Sequence, residues 1–313
     1  MPNKLVIDSL RAELASIEKL LEEAIRIDDP VGKLQYEYRF QEIKKEIEEL
    51  SKQPECKASV ALFFSGKPVL GSKGVQADFA GSILENFQDL IAKRFASVEL
   101  GAMGSRGPVP LGSTTQLMVT EIARGSFGFI LDEISNQQDL CDTEMKNVVD
   151  DVTSLIKHTS APDETEFEKA AEELDQRSLD SLKNFFSILD KNKAMIRIVE
   201  NERDISLDSP SVERGRIRTE ATKIDEHPDQ IREGTLVGFL PQHRRFEFQF
   251  SPEEIIFGST SREATKQFLE AVVSAEGAIG KKWQVKMNIR TVTRLNRKPK
   301  NSYSLLELVG RIP

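Results

Sequence analysis

Residues Arg245-Phe246-Glu247-Phe248-Gln249-Phe250 and Trp283-Gln284-Val285-Lys286-Met287-Asn288-Ile289-Arg290 alternate large apolar side chains with polar or charged ones. A period of two sends each set to one face of an extended chain, so both segments predict half-buried β-strands. Working outward, Thr235 to Leu240, Glu254 to Gly258 and Ser302 to Val309 predict three more strands. Between them, Ser261 to Ala275 predicts a helix with Ala264, Phe268, Leu269 and Val272 turned inward.

Three strands, a helix and two strands within residues 234–313 is the element order of the five-stranded OB-type barrel. An open sheet with one covering helix would have the same order. The expectation is a small β-barrel-like C-terminal domain with one helix.

Residues 54–205 predict a central α+β domain with an antiparallel sheet. Ala58 to Phe64 and Met195 to Glu200 predict buried strands, and Gln116 to Ala123 with Ser126 to Glu133 a hairpin turning at Arg124-Gly125. Helices are expected at Asp78 to Val98, Thr143 to Lys157 and Asp163 to Asp190. Residues 206–233 are polar, with Ser209-Pro210 favouring a helix start and His227-Pro228 a turn. They are expected to form a connector with one short helix.

Residues 1–53 predict two helices. Ile7, Leu10, Leu14, Ile17, Leu21 and Ala24 follow three–four spacing, as do Tyr36, Phe40, Ile43, Ile47 and Leu50. Asp28-Asp29-Pro30-Val31-Gly32 interrupts them, which predicts an antiparallel hairpin of coiled-coil type. Two helices of about three heptads are marginal alone. The hairpin is therefore expected to dock on the rest of the chain, on a second copy or on a partner protein. Leu10, Leu14, Ile17, Leu21, Tyr36, Phe40, Ile43 and Ile47 are the interface candidates.

The net charge of −8 conceals an asymmetry: Lys281 to Pro313 holds nine Lys or Arg against one acid, Glu307. In an OB-type order the loops after strand one and between strands four and five would carry Arg244, Arg245, Arg294, Arg297, Lys298 and Lys300. Lys286 and Arg290 share one face of strand four. These eight residues are the candidates for phosphate contacts with nucleic acid.

No catalytic motif emerges. His158, His227 and His243 stand apart, which predicts no metal site. The three read as a charge at a helix C-terminus, a turn residue and part of a basic loop. Arg124-Gly125-Ser126-Phe127-Gly128 lacks the spacing of a nucleophile elbow, and neither Gly71-Ser72-Lys73-Gly74 nor the loop bearing Arg106 matches a phosphate-binding pattern. An enzyme would need a dispersed active site, such as that of a metal nuclease. Cys56 and Cys141 lie far apart and read as reduced thiols. No apolar leader or membrane-length segment is seen, and no cofactor is implied. These features point to a cytoplasmic, non-catalytic assembly or adaptor subunit, with nucleic-acid binding by the basic C-terminal domain as the alternative.

Overall fold

The computed structural model describes all residues except 53–54, 101–106, 113–114, 124–126, 135–141, 173, 274–276, 296 and 313. Pro54, Arg106, the Arg124-Gly125-Ser126 turn and Cys141 therefore lie outside the described residues. In chain order the helices are α1 (Asn3–Arg26), α2 (Pro30–Lys52), α3 (Ala77–Leu100), α4 (Glu144–Ser160), α5 (Glu164–Glu172), α6 (Gln176–Lys191), α7 (Ser209–Glu220) and α8 (Arg262–Val273). The strands are β1 (Ser59–Gly66), β2 (Val69–Leu70), β3 (Gly74–Val75), β4 (Leu117–Ala123), β5 (Phe127–Glu133), β6 (Ala194–Glu200), β7 (Arg203–Leu207), β8 (Thr222–Leu240), β9 (Arg245–Ser251), β10 (Glu254–Thr260), β11 (Lys282–Arg294) and β12 (Lys300–Arg311). The fold is α+β: two N-terminal helices packed together, an antiparallel sheet with helices, and a closed five-stranded barrel.

The chain forms two compact units, each assembled from separated segments. The first comprises Met1–Val75, Leu117–Thr153 and Ala194–Leu207. Its antiparallel sheet runs β4-β5-β1-β6-β7. Continuous apolar residues in β1 serve both faces of a central strand, hence the burial of Val60 through Phe64. On one face Ala61, Phe63, Ile130 and Val199 pack together under Leu5 of α1. The start of α1 is tied down further: the terminal amine meets Asp132 at 3.1 Å and the Asn3 amide donates to Glu55. α2 returns along α1, its entry capped by Asp29, whose carboxylate accepts from the Val31 and Gly32 amides. Pro30 thus opens the second helix rather than ending a loop.

The second unit comprises Gln76–Gln116, Ser154–Lys193 and Asp208–Pro313. Its barrel closes in the order β10-β12-β11-β8-β9, with β10 and β12 parallel and the other pairs antiparallel. The sequence-derived barrel order is therefore closed, not an open sheet. Closure requires Gly258, because a Cβ there would overlap the Tyr303 carbonyl of the parallel neighbour. Phe246 and Phe248 fill the interior with Leu236, Val285, Met287 and Leu305, and α8 adds Ala264 and Phe268. Phe268 stacks on Phe239 with ring centroids 4.0 Å apart.

Several expectations need correction. The connector expected over residues 206–233 holds its one helix, α7, but it also holds the first part of the 19-residue strand β8. His227-Pro228 makes no chain-reversing turn. The strand carries it through a register shift opposite β11, with Asp229 in the left-handed region, which accommodates the missing proline donor. The helix expected over Asp163 to Asp190 is two helices, because the Asp175 carboxylate accepts from the Ser178 amide and starts α6 afresh. β7 was not anticipated; it follows a tight turn with Asn201 at φ 50. Leu269 and Val272 of α8 are exposed rather than inward, because the buried face is set by Ala264 and Phe268.

Candidate binding surfaces

The hairpin has two apolar faces. Leu10 and Ile43 are buried, and Leu14, Ile17, Leu21, Tyr36, Phe40 and Ile47 are half-buried. Their three–four spacing makes these eight interface candidates the seam between α1 and α2. A different set stays open near the turn. Ile25, Ile27, Val31, Leu34 and Tyr38 are 57%, 64%, 65%, 70% and 72% exposed. Within α2, Val31, Leu34 and Tyr38 follow spacings of three and four, a signal present in the sequence but masked there by the stronger seam; Ile25 and Ile27 lie before the turn. At about 100° per residue, Val31, Leu34 and Tyr38 lie nearly opposite the seam on α2.

The barrel presents its own open face. On the outer side of β8, β9 and β10 the cross-strand rows are Thr235, Gln249 and Ile255; Gly238, Glu247 and Phe257; and Leu240, Arg245 and Ser259. Leu240, Ile255 and Phe257 are exposed there, Phe257 at 76%. Phe257 thus offers an exposed aromatic ring on this face. Phe246 points into the core, and Tyr303 packs against Phe250 with centroids 6.5 Å apart. The sequence signal for the exposed Phe257 was the Ile255-Ile256-Phe257 run, three apolar residues in a strand that can bury one face.

At least six of the eight phosphate-contact candidates are engaged within the second unit. Arg244 reaches Glu99 at 3.4 Å, and Arg262 approaches the same carboxylate at 2.8 Å. Lys286 pairs with Asp229 at 2.9 Å, which raises its pKa. Arg290 is buried opposite Glu226 and donates to the Ser304 hydroxyl at 2.9 Å. Arg294 meets Glu168 at 2.9 Å, Arg297 meets Glu168 at 3.3 Å and Glu164 at 3.8 Å, and Lys300 pairs with Glu172. Glu164, Glu168 and Glu172 recur every four residues along one side of α5, so this helix matches the loop cation for cation. Arg245 lies on the outer face of β9, and Lys298 is exposed at the loop between β11 and β12.

Two polar clusters carry chemistry worth resolving. Lys93 donates to the Ser181 hydroxyl at 2.7 Å, Ser181 donates to Asp89 at 2.6 Å, and Lys93 lies 2.7 Å from Asp89. A nucleophilic serine needs a base that accepts its proton. Here the lysine donates, and the hydroxyl is fully buried between α3 and α6. The cluster satisfies a helix–helix contact.

In the first unit, Glu200 at the end of β6 is 1% exposed and hydrogen-bonded to Asp150 of α4. Burial, then that contact, pushes its pKa up to about 9. Arg203 donates to the Asp150 backbone carbonyl at 2.8 Å and lies 3.5 Å from its carboxylate. Lys146, one helical turn earlier, pairs with Asp142 at 2.9 Å. Glu200 and Asp150 thus meet where α4 packs against the β6–β7 hairpin, with Arg203 also 3.9 Å from the Glu200 carboxylate.

Among the described residues no group of three or more His, Cys, Asp or Glu is placed to hold a metal ion. His158 sits in the last turn of α4, His227 in β8 and His243 in a short 3-10 turn before β9. No helix of the described residues is long and apolar enough to cross a membrane. No protein-family model, curated protein or solved structure matches the chain.

Proposed function

We propose that the protein is a non-catalytic assembly component of the cytoplasm that docks a helical protein surface against the distal hairpin. The observation that carries this reading is the stripe Val31, Leu34 and Tyr38 on α2, each more than 60% exposed, with Ile27 open beside it at the turn. Single exposed apolar residues are ordinary, but a contiguous row at helical spacing is the mark of a docking face. Covering four such side chains would contribute roughly 1–2 kcal/mol each, the main favourable term set against the cost of association. The pairing of most barrel cations within the chain supports the same reading, since it leaves little positive charge for an anionic polymer.

The test is affinity purification of the tagged full chain and of Leu34→Asp and Tyr38→Asp variants, with folding verified by circular dichroism. The variants should lose whatever the parent holds through the hairpin, whether another protein or a second copy. Folded variants identical to the parent in mass and companions would sink the proposal.

A second reading is single-stranded nucleic acid on the outer face of β9 and β10, favoured by the exposure of Phe257. A base stacked on that ring would supply about 1–3 kcal/mol. Loss of oligonucleotide binding in Phe257→Ala would support it, and unchanged binding would remove the face from consideration.

A further inference from the structure

We infer that the occupant of the open α2 face is the same face of a second copy, packed antiparallel about a two-fold axis. The inference rests on the assembly reading above and names its partner. α2 carries apolar residues on two opposite sides: the seam against α1, and Val31, Leu34 and Tyr38. A helix apolar on opposite faces belongs inside a layer of helices, and here one side has α1 and the other is open.

Self-pairing suits the charges. Residues 20–45 hold six acids and five Lys or Arg, a net of −1, although the whole chain carries −8. Two hairpin ends therefore meet without the repulsion that other surfaces of a strongly acidic chain would impose. In antiparallel helices, residues whose numbers share a constant sum lie level. With Tyr36 at the level of the axis, Leu34 meets Tyr38 of the second copy, and Tyr38 meets Leu34. The same register sets Val31 against Gln41. It also brings Lys45, which lies on the open face of α2, to the level of Ile27 and Asp28 at the partner's turn. Each apolar side chain then has a large neighbour, and each end of the contact closes on an opposite charge. The two-fold relation repeats every contact twice, as a closed dimer requires.

The experiment uses the purified full chain. Light scattering from 1 to 100 μM, a range chosen around the order of micromolar affinity expected for a patch of this size, should show the mass rising from 35.2 kDa toward twice that value. Leu34→Asp should weaken dimerisation by about 100-fold, and Lys45→Glu by several-fold with the difference fading in high salt. Register is read separately, in chains with Cys56 and Cys141 replaced by Ser. A mixture of Leu34→Cys and Tyr38→Cys chains should oxidise to a mixed disulfide dimer faster than either forms its own. A parent chain monomeric at 100 μM overturns the inference, and if Leu34→Asp still strips a different protein from it, the docking face survives without the dimer. A concentration-dependent dimer with no preference for the mixed disulfide and no response to Lys45→Glu overturns it as well.

Discussion

The Arg294 guanidinium lies 2.9 Å from the Glu168 carboxylate, with only 9% of its side chain exposed. A cation so enclosed depends on its partner. Glu168→Ala should destabilise the fold by about 2–3 kcal/mol, because it leaves a buried charge without its counter-ion. Arg297→Ala, at a half-exposed pair, should cost about 0.5 kcal/mol. Urea unfolding of the two variants distinguishes these outcomes; equal small losses would mean that water already solvates Arg294.

The same pairing bears on nucleic acid. Eight phosphate contacts to a single strand would give a salt slope near −6, at about −0.7 per contact. With at least six of the eight candidate cations engaged inside the chain, any binding should show a slope far shallower than about −6. Anisotropy titrations with labelled oligonucleotides at several salt concentrations measure it. A slope near −6 would show that the α5 glutamates yield the loop to phosphate.

Glu200 makes stability depend on pH. Below about 4.5, its ordinary value, folded and unfolded chains both hold the proton. Between there and about 9 the unfolded chain loses it while the folded chain keeps it, so stability falls as pH rises through this window. Glu200→Gln, which can still donate to Asp150, should flatten that decline and be more stable than the parent at pH 8 by roughly 2 kcal/mol. Chemical unfolding at pH 5, 6.5 and 8 checks both the sign and the slope.

Barrel closure hangs on a missing side chain. Gly258→Ala would drive a methyl group into the Tyr303 carbonyl, forcing β10 and β12 apart where they pair in parallel. A loss of about 2–4 kcal/mol is expected. Gly310→Ala serves as the control, since the position has open space around it. Similar thermal shifts for the two would mean that the barrel tolerates an open seam.

How much of this was legible follows from the local physics of each element. The alternation in Arg245 to Phe250 marked a barrel strand whose Glu247 side is wet, and the alternation in Trp283 to Ile289 marked a second, although Asn288 and Arg290 on its polar side are buried in the fold. The hairpin seam was readable because its spacing is regular over three heptads. The break at Asp175 was not, since a single capping aspartate is a weak signal within a helical pattern. The first half of β8 escaped because its polar residues pair through backbone bonds with β11, which composition does not record. The candidate cations were visible as charges, but their partners on α5 lie more than 100 residues away in sequence, and only the fold matches Arg294 with Glu168. The open stripe on α2 was present in the letters. Its meaning depends on knowing that α1 had already taken the other side.

The most direct test of the docking account is sedimentation velocity of the full chain beside Leu34→Asp, each at 50 μM and with matching circular dichroism. The account predicts a parent that sediments as an associated species and a variant that sediments as a 35.2 kDa monomer. Superimposable monomeric profiles, with no other protein lost on mutation, would contradict it.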